Sequence, residues 1–175
     1  IAVVTGGAGF IGSHMVDRLL KEGLIVRVID NLSSGWEKNL AQCKHSPDLS
    51  CEWRDILKLK KKDPLFNQAD LVFHFAGVGD IVPSVKNPIK YLKANTMGTA
   101  CVCEAARYAG VKKMVYAASS SCYGLAKTPT TETDPMAPQY PYALSKYLGE
   151  QLAFHWYHVY RLPVNAIRIF NAYGT

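Results

Sequence analysis

A tyrosine and a lysine four residues apart are the pair in this sequence best suited to acid–base chemistry. Tyr142 and Lys146 lie where helical apolar spacing begins. Residues i and i+4 of a helix share one face, so the ammonium would lie one turn from the phenol. A nearby positive charge favours a phenolate. Tyr142 is therefore a candidate general base, although such a pair can also decorate an ordinary helix surface.

Three consecutive hydroxyl side chains form a second candidate group. Ser119, Ser120 and Ser121 directly follow an apolar run at 113–118 that is typical of a buried strand. In open α/β sheets, ligands bind at the carboxyl ends of the strands. The three serines are therefore predicted to contact a ligand.

A glycine-rich turn near the start of the chain has the properties of a phosphate site. It follows a short apolar run, opens a stretch of helical spacing and comprises Gly6, Gly9, Phe10, Ile11 and Gly12. The glycines permit a tight turn, a close approach of backbone to pyrophosphate, and close packing of helix on sheet. The amino end of the helix adds free N–H groups and a positive dipole. A purely steric role for the glycines is the weaker interpretation in this context.

An acid at the end of the next strand indicates which dinucleotide binds. Asp30 closes the apolar run 24–30. A carboxylate there accepts hydrogen bonds from the adenosine ribose and repels a 2′-phosphate, which favours NAD over NADP. The loop that follows contains Asn31, Ser34 and Gly35, and we expect it near the adenosine.

Two further strand ends are candidates for cofactor contacts. After the third strand, Asp55 and Ile56 could hold the adenine edge and face, or equally could be a helix cap and a core residue. Phe75, Ala76 and Gly77 end the fourth strand. Small residues there suit a backbone that passes close beneath a cofactor.

Two other polar residues have ordinary explanations. His74 lies within an apolar run and is predicted to be a hydrogen-bonded core histidine rather than a catalyst. Asn95 lies within a predicted helix, where it could bind backbone or water near the site.

The order of the elements predicts an α/β fold, a Rossmann-type doubly wound parallel sheet with strand order 3-2-1-4-5-6. Strands are predicted at 1–4, 24–30, 49–54, 70–77, 113–118 and 164–170, helices at 10–20, 36–41, 91–106 and 140–157, and polar loops at 78–87 and 125–139.

Composition narrows the class of protein. A chain of 175 residues with 49% hydrophobic residues fits one α/β domain. We expect no membrane span, because no apolar run approaches ~20 residues. Five cysteines without metal-ligand spacing favour a reduced, cytoplasmic protein with no metal site.

The net charge is +6, but the basic cluster 58–62 is better explained as a solvated connector than as a nucleic-acid site. No secretory signal is visible, although the chain opens without a methionine.

The combined motifs, in this order, resemble the extended short-chain dehydrogenase/reductase family, in particular its NAD-dependent nucleotide-sugar epimerase/dehydratase branch. Within that branch the similarity is greatest to the UDP-glucose 4-epimerases as a group. The resemblance implies an enzyme, an isomerase, that transiently oxidises a UDP-sugar at C4 with bound NAD, and it implies a homodimer.

The resemblance also implies residue roles. Ser119 would hydrogen-bond the reacting sugar hydroxyl, Tyr142 would act as the base, and Lys146 would bind the nicotinamide ribose and tune the tyrosine. Asn171 would lie near the substrate diphosphate, and Asn95 beside the site.

Two departures from the family pattern bear on function. Ser120 and Ser121 stand where family dehydratases and decarboxylases have acids, so epimerisation is favoured over dehydratase, decarboxylase or reductase chemistry. Family members also continue into a carboxyl-terminal substrate lobe that is absent from this chain. We therefore expect residues 1–175 to be the NAD-binding amino-terminal portion of a longer protein, and a non-catalytic NAD-binding module is the alternative.

Overall fold

The fold is a single six-stranded parallel sheet with helices on both faces. A computed structural model describes residues 1–174, so Thr175, the last residue of the predicted domain, lies outside the described residues. The strand order is β3-β2-β1-β4-β5-β6, as the sequence predicts. The strands are β1 (Ala2–Thr5), β2 (Val26–Asp30), β3 (Leu49–Trp53), β4 (Leu71–His74), β5 (Lys113–Ser119) and β6 (Val164–Ile169).

The two faces of the sheet pack into separate cores. All four residues of β1 are buried, and neighbouring residues point to opposite faces. Val3 therefore joins the core on one face, while Val4 joins the core on the other. A strand buried on both faces needs apolar residues at every position, which explains why β1 reads as a continuous apolar run.

The helices are α1 (Phe10–Lys21), α2 (Val82–Lys86), α3 (Pro88–Leu92), α4 (Gly98–Ala109) and α5 (Pro141–Tyr160). The prediction of one loop over 78–87 is wrong, because α2 forms within it. Pro83 lies in the first turn of α2, where a missing N–H costs no helical hydrogen bond. Asn87 ends α2, and its side chain accepts a hydrogen bond from the Lys90 N–H and so caps α3.

The predicted helix 91–106 is interrupted. A π turn, Lys93–Met97, joins α3 to α4. Such turns are uncommon and occur often at functional sites. Here the turn contains Asn95, whose backbone carbonyl accepts a hydrogen bond from the Thr99 hydroxyl at 2.6 Å.

Two other predicted boundaries differ. The expected helix at 36–41 is a 3-10 turn, Glu37–Leu40. The fourth strand ends at His74 rather than Gly77. The three residues after His74 lie beyond the end of β4 and form a wall of the cavity described below.

His74 is a buried core residue, as predicted. Its Nε2 lies 2.9 Å from the Thr99 hydroxyl, and its Nδ1 lies 2.6 Å from the Thr5 hydroxyl. The Thr99 hydroxyl already donates its proton to Asn95, so Nε2 must donate to Thr99 and Nδ1 must accept from Thr5. Burial, aided by the positive charge of Lys146, lowers the pKa of His74 to about 3.

The neutral state of His74 should make the protein sensitive to acid. The ordinary pKa of 6.5 is lowered to about 3 in the folded state, so the unfolded chain binds the extra proton between these values. The free energy of unfolding should therefore fall as pH decreases from about 6.5, with a slope of about 1.4 kcal/mol per pH unit from this residue. Denaturant unfolding at several pH values should show a smaller slope for His74→Gln. An unchanged slope, equal to that of a control with exposed His155→Gln, would contradict the assignment.

None of the helices within residues 1–174 combines the length and apolar character needed to span a bilayer. All five cysteines are free thiols.

Candidate active site

A cavity of about 460 Å³ opens at the carboxyl ends of β1, β2, β4 and β5. It is where a doubly wound sheet binds its ligands. Every site residue predicted from the sequence lines this cavity except Asn95, Ser120, Ser121 and Asn171.

The glycine turn forms the floor of the cavity, and its geometry fits a diphosphate. Gly6 adopts φ +72°, and a Cβ there would lie 2.5 Å from the Ala76 nitrogen. A Cβ on Gly12 would lie 2.1 Å from the Gly6 carbonyl oxygen, so the helix approaches the turn closely. Gly9 precedes α1 without a side-chain cap on the first N–H groups of the helix, and the first turn holds no acid. These groups can therefore bind phosphate oxygens.

Asp30 is held at the far end of the cavity by two backbone N–H groups. Its Oδ2 accepts from Ala8 at 2.9 Å, and its Oδ1 accepts from Leu32 at 2.8 Å. These bonds fix the carboxylate at the end of β2, and each oxygen keeps a lone pair for a ribose hydroxyl. The arrangement suits NAD and disfavours a 2′-phosphate.

Removing the charge of Asp30 should weaken the discrimination between the two dinucleotides. The wild-type protein should bind NAD more tightly than NADP, and Asp30→Asn should reduce the ratio of the two dissociation constants roughly tenfold or more, which corresponds to ~1.4 kcal/mol of lost repulsion. Calorimetric titration measures both constants. Asp17→Asn removes a carboxylate on α1 that lies outside the cavity and serves as the control. A wild-type preference for NADP would overturn the assignment.

Both interpretations of the Asp55–Ile56 pair are compatible with the structure. The Asp55 Oδ1 accepts from the Leu57 N–H at 2.9 Å and caps a 3-10 turn, while Ile56 is buried in the core. Both residues nevertheless line the cavity. The Asp55 Oδ2 accepts from the Asn31 side chain at 3.1 Å, which ties the loop after β2 to this wall.

The candidate catalytic groups come together at the other end of the cavity, away from Asp30. The Tyr142 hydroxyl lies 3.5 Å from the Ser119 Oγ and is oriented to donate to it. Ser119 Oγ also accepts from the Ser121 N–H at 3.2 Å, so the serine is fixed by the turn that begins at Ser120. A phenol and a hydroxyl at this separation can share contact with one substrate oxygen.

Lys146 is buried one turn below Tyr142. Its Nζ lies 4.6 Å from the centre of the Tyr116 ring. Burial lowers the pKa of Lys146 to about 8, although the nearby Cys122 and Glu150 oppose the change. Gly77 leaves room here, because a Cβ at that position would lie 2.8 Å from the Asn95 Oδ1 and 3.9 Å from the Lys146 Nζ.

Four predicted contacts lie elsewhere. Asn95 is buried behind the cavity wall, where its amide bonds both backbone groups of Val78 at 2.7 and 3.0 Å and the Ser145 hydroxyl at 2.9 Å. Ser120, Ser121 and Asn171 are also outside the lining. Ser120 and Ser121 belong to the 3-10 turn that carries the chain away from β5.

The cavity also has lining residues that the sequence did not assign. They include Arg54, Val78, Gly79, Ala94 and Phe170. Most of them lie within two residues of an assigned strand end, so extending each strand-end motif by a few positions would have found them. Ala94 carries no such signal, because it lies in the π turn.

The whole chain matches a known family. The model of the "NAD dependent epimerase/dehydratase family" matches residues 2–175. The chain is 37% identical over 179 residues to the UDP-glucose 4-epimerase of Bacillus subtilis (strain 168), with 99% of this chain and 53% of the relative covered. It is 36% identical to the probable UDP-arabinose 4-epimerase 3 of Arabidopsis thaliana, with 99% of this chain and 44% of that protein covered. The chain thus spans about half the length of the curated relatives it matches.

Solved structures show the same fold. The UDP-N-acetylglucosamine 4-epimerase from Methanobrevibacter ruminantium M1, in complex with UDP-N-acetylmuramic acid, superposes with a TM-score of 0.93 at 34% identity, covering 99% of this chain and 55% of that one. The dTDP-glucose 4,6-dehydratase from Streptomyces venezuelae, a double mutant with NAD bound, gives 0.91 at 31% identity, covering 96% and 55%.

Sequence, fold and cavity therefore agree. The glycine turn and Asp30 line the cavity with the geometry expected of a dinucleotide site, and Tyr142, Ser119 and Lys146 line it as well. The match of the family model extends from the first strand to the end of the chain. This chain belongs to the NAD dependent epimerase/dehydratase family.

Proposed function

We propose that the protein of which these residues are part is an NAD-dependent nucleotide-sugar 4-epimerase that acts on a UDP-sugar. Residues 1–175 form its dinucleotide-binding part in this proposal. The observation that carries it is the 3.5 Å contact between Tyr142 and Ser119 at the cavity, with Lys146 buried one turn away. The similarity to UDP-sugar 4-epimerases over 98–99% of the chain supports the substrate class.

The cofactor would be held along the length of the cavity. The N–H groups at the start of α1 would bind its diphosphate, and Asp30 would bind its adenosine ribose. Lys146, which also lines the cavity, would bind the nicotinamide ribose. When bound, NAD supplies reversible two-electron oxidation of the sugar at C4.

The chain's own groups handle the proton. The Tyr142 phenolate takes the proton of the sugar's 4-hydroxyl, and the Ser119 hydroxyl, 3.5 Å away, donates a hydrogen bond to the same oxygen. The ammonium of Lys146 stabilises the phenolate by charge. After the keto sugar rotates within the site, the phenol returns the proton. The product then differs from the substrate only in its configuration at C4.

The position of the acids favours epimerisation over elimination. Among the described residues that line the cavity, the carboxylates are Asp30 and Asp55, and both lie at the adenosine end. Dehydration needs an acid and a base beside the sugar in addition to the tyrosine. Ser120 and Ser121, in the turn after β5, carry hydroxyl groups and supply no carboxylate.

We also propose a homodimer in the cytoplasm. Half-exposed apolar side chains on and beside the helix pair α4–α5, namely Met97, Leu144 and Leu148, support a contact with a second copy. The five free thiols support a reducing compartment.

The proposal is tested by incubating the full-length protein and NAD with UDP-glucose, UDP-N-acetylglucosamine, dTDP-glucose and GDP-mannose, with products identified by chromatography and NMR. The expected result is interconversion of C4 epimers of a UDP-sugar without accumulation of NADH. Loss of water or carbon dioxide, or NADH in proportion to product, would contradict it. NAD binding without any turnover would support the non-catalytic module instead.

A further inference from the structure

A buried ion pair lies directly behind the candidate catalytic groups. Arg168, on β6, donates to both carboxylate oxygens of Glu150, with the shortest contact 2.7 Å from Nη2 to Oε1. The side chain of Glu150 is only 1% exposed and that of Arg168 17%. Neither residue lines the cavity, and the proposed reaction uses neither.

The guanidinium of Arg168 joins four separate segments. Besides Glu150 on α5, its Nη1 donates to the Tyr123 hydroxyl, which belongs to the turn after β5. The same Nη1 donates to the Glu132 carbonyl oxygen at 2.9 Å, in the long loop 125–139. The guanidinium carbon also lies 5.0 Å from the centre of the Tyr123 ring. A planar group with five donors can hold several partners in one fixed arrangement, which a lysine cannot.

The two segments that matter most are those that carry Ser119 and Tyr142. Tyr123 lies four residues after Ser119 and within the turn that fixes this serine. Glu150 lies two helical turns after Tyr142 and one after Lys146, on the same face of α5. One side chain therefore sets the position of the serine turn relative to the helix of the general base.

We propose that Arg168 and Glu150 are positioning residues that hold the Ser119 turn against helix α5. In this pair the Arg168 guanidinium also offsets the charge of the Glu150 carboxylate near the Lys146 ammonium. This inference rests on the proposed function for its catalytic consequence. Its structural consequence, the coupling of Arg168 to Lys146, does not depend on which sugar is bound.

The charge on Lys146 responds to groups from every neighbouring element. Glu150 on α5 and Cys122 after β5 raise the pKa of Lys146, in opposition to burial. The ring of Tyr116 on β5 contacts the ammonium, and His74 on β4 is neutral. Tyr142 lies one turn away on α5. Arg168 offsets the charge of Glu150, so loss of either partner should move the pKa of Lys146, and in opposite directions.

The test uses the full-length protein and three variants: Glu150→Gln, Arg168→Met, and the two combined. In Glu150→Gln the ammonium loses a carboxylate, and the pKa of Lys146 should fall below about 8. In Arg168→Met the carboxylate is left without its cation, and the pKa of Lys146 should rise. The double variant removes both charges, so the pKa of Lys146 should return towards the wild-type value.

Two readouts separate charge from position. The pKa of Lys146 is read from a pH titration of its Cε–Hε NMR signal, assigned with Lys146→Met, and from the alkaline limb of the kcat profile. The position of the serine is read from kcat at the plateau, which should fall on the order of tenfold to 10²-fold in all three variants, while the NAD dissociation constant stays near wild type.

Glu104→Gln and Arg107→Met are the matched controls. This pair has the same chemistry, with Nη2 2.6 Å from Oε1 and the guanidinium carbon 4.4 Å from the Tyr108 ring centre, but it lies near the carboxyl end of α4. The two control variants should leave the pKa of Lys146 and the plateau kcat unchanged. If Arg168→Met does not fold, Arg168→Lys replaces it. That variant keeps the charge, so it should lower kcat with little change at Lys146.

The outcomes also distinguish the inference from the proposed function. A wild-type protein that turns over no nucleotide sugar, combined with opposite displacements of the Lys146 titration, would reject the epimerase proposal and support the coupling. An active wild type whose Arg168 and Glu150 variants keep both kcat and the Lys146 titration would overturn the inference.

Discussion

Replacing Tyr142 with phenylalanine should lower the turnover of the UDP-sugar by on the order of 10²–10⁴-fold, the usual contribution of a general acid–base group. The substitution removes one hydroxyl, which lies 3.5 Å from the Ser119 Oγ, and keeps the ring that packs at 6.3 Å from the Tyr91 ring. NAD affinity should therefore stay near the wild-type value. Steady-state kinetics and calorimetric titration of the full-length protein measure the two quantities.

Tyr157→Phe is the control for the loss of a tyrosine hydroxyl. Tyr157 is 43% exposed on the same helix and lies outside the cavity. Its substitution should change neither the turnover of the UDP-sugar nor the affinity for NAD. If Tyr142→Phe kept more than half of the wild-type turnover, Tyr142 would not be the base, and the role would pass to another group at the cavity.

Replacing Gly12 with alanine should disrupt the dinucleotide site. A Cβ at this position would lie 2.1 Å from the Gly6 carbonyl oxygen and 2.9 Å from the Gly7 Cα, and both are backbone atoms that cannot rotate away. Helix α1 must then move from the turn. We expect NAD affinity to fall more than about tenfold and the free energy of unfolding to fall by about 1–3 kcal/mol.

Gly23→Ala separates this clash from the general cost of losing a glycine. Gly23 has φ +77°, but a Cβ there would meet no atom within 4 Å. The control should lose about 1 kcal/mol of stability from its left-handed backbone and keep its NAD affinity. Equal NAD affinity in Gly12→Ala and wild type would show that the helix tolerates the shift and that its N–H groups do not bind the diphosphate.

The glycine-turn and Asp30 end of the cavity was the part most predictable from sequence. The glycine turn and Asp30 each have a local signal, because turn, helix start and strand end lie within thirty residues of one another. Strand order follows from the repeated strand–helix pattern and the right-handed crossover rule. The alternation of Val3 and Val4 between two cores explains why a buried parallel strand has no polar face to interrupt its apolar run.

Other features depend on contacts between distant residues. The π turn around Asn95 is compatible with contacts to Val78 and Ser145, which are 17 and 50 residues away. The pairing of Glu150 with Arg168 needs α5 and β6 to be placed first. The spacing of residues within one segment therefore predicts neither the π turn nor the ion pair. For the same reason sequence adjacency to Ser119 does not show that Ser120 and Ser121 lie outside the lining of the cavity.

In the 4-epimerase proposed above, the hydrogen at sugar C4 is removed and returned without leaving the site. Full-length protein with NAD is incubated with UDP-glucose that carries deuterium at C4, in ordinary water, and the product is analysed by NMR and mass spectrometry. We expect UDP-galactose with deuterium retained at C4 and no accumulation of NADH. Product with ordinary hydrogen at C4, exchanged from solvent, would contradict the account.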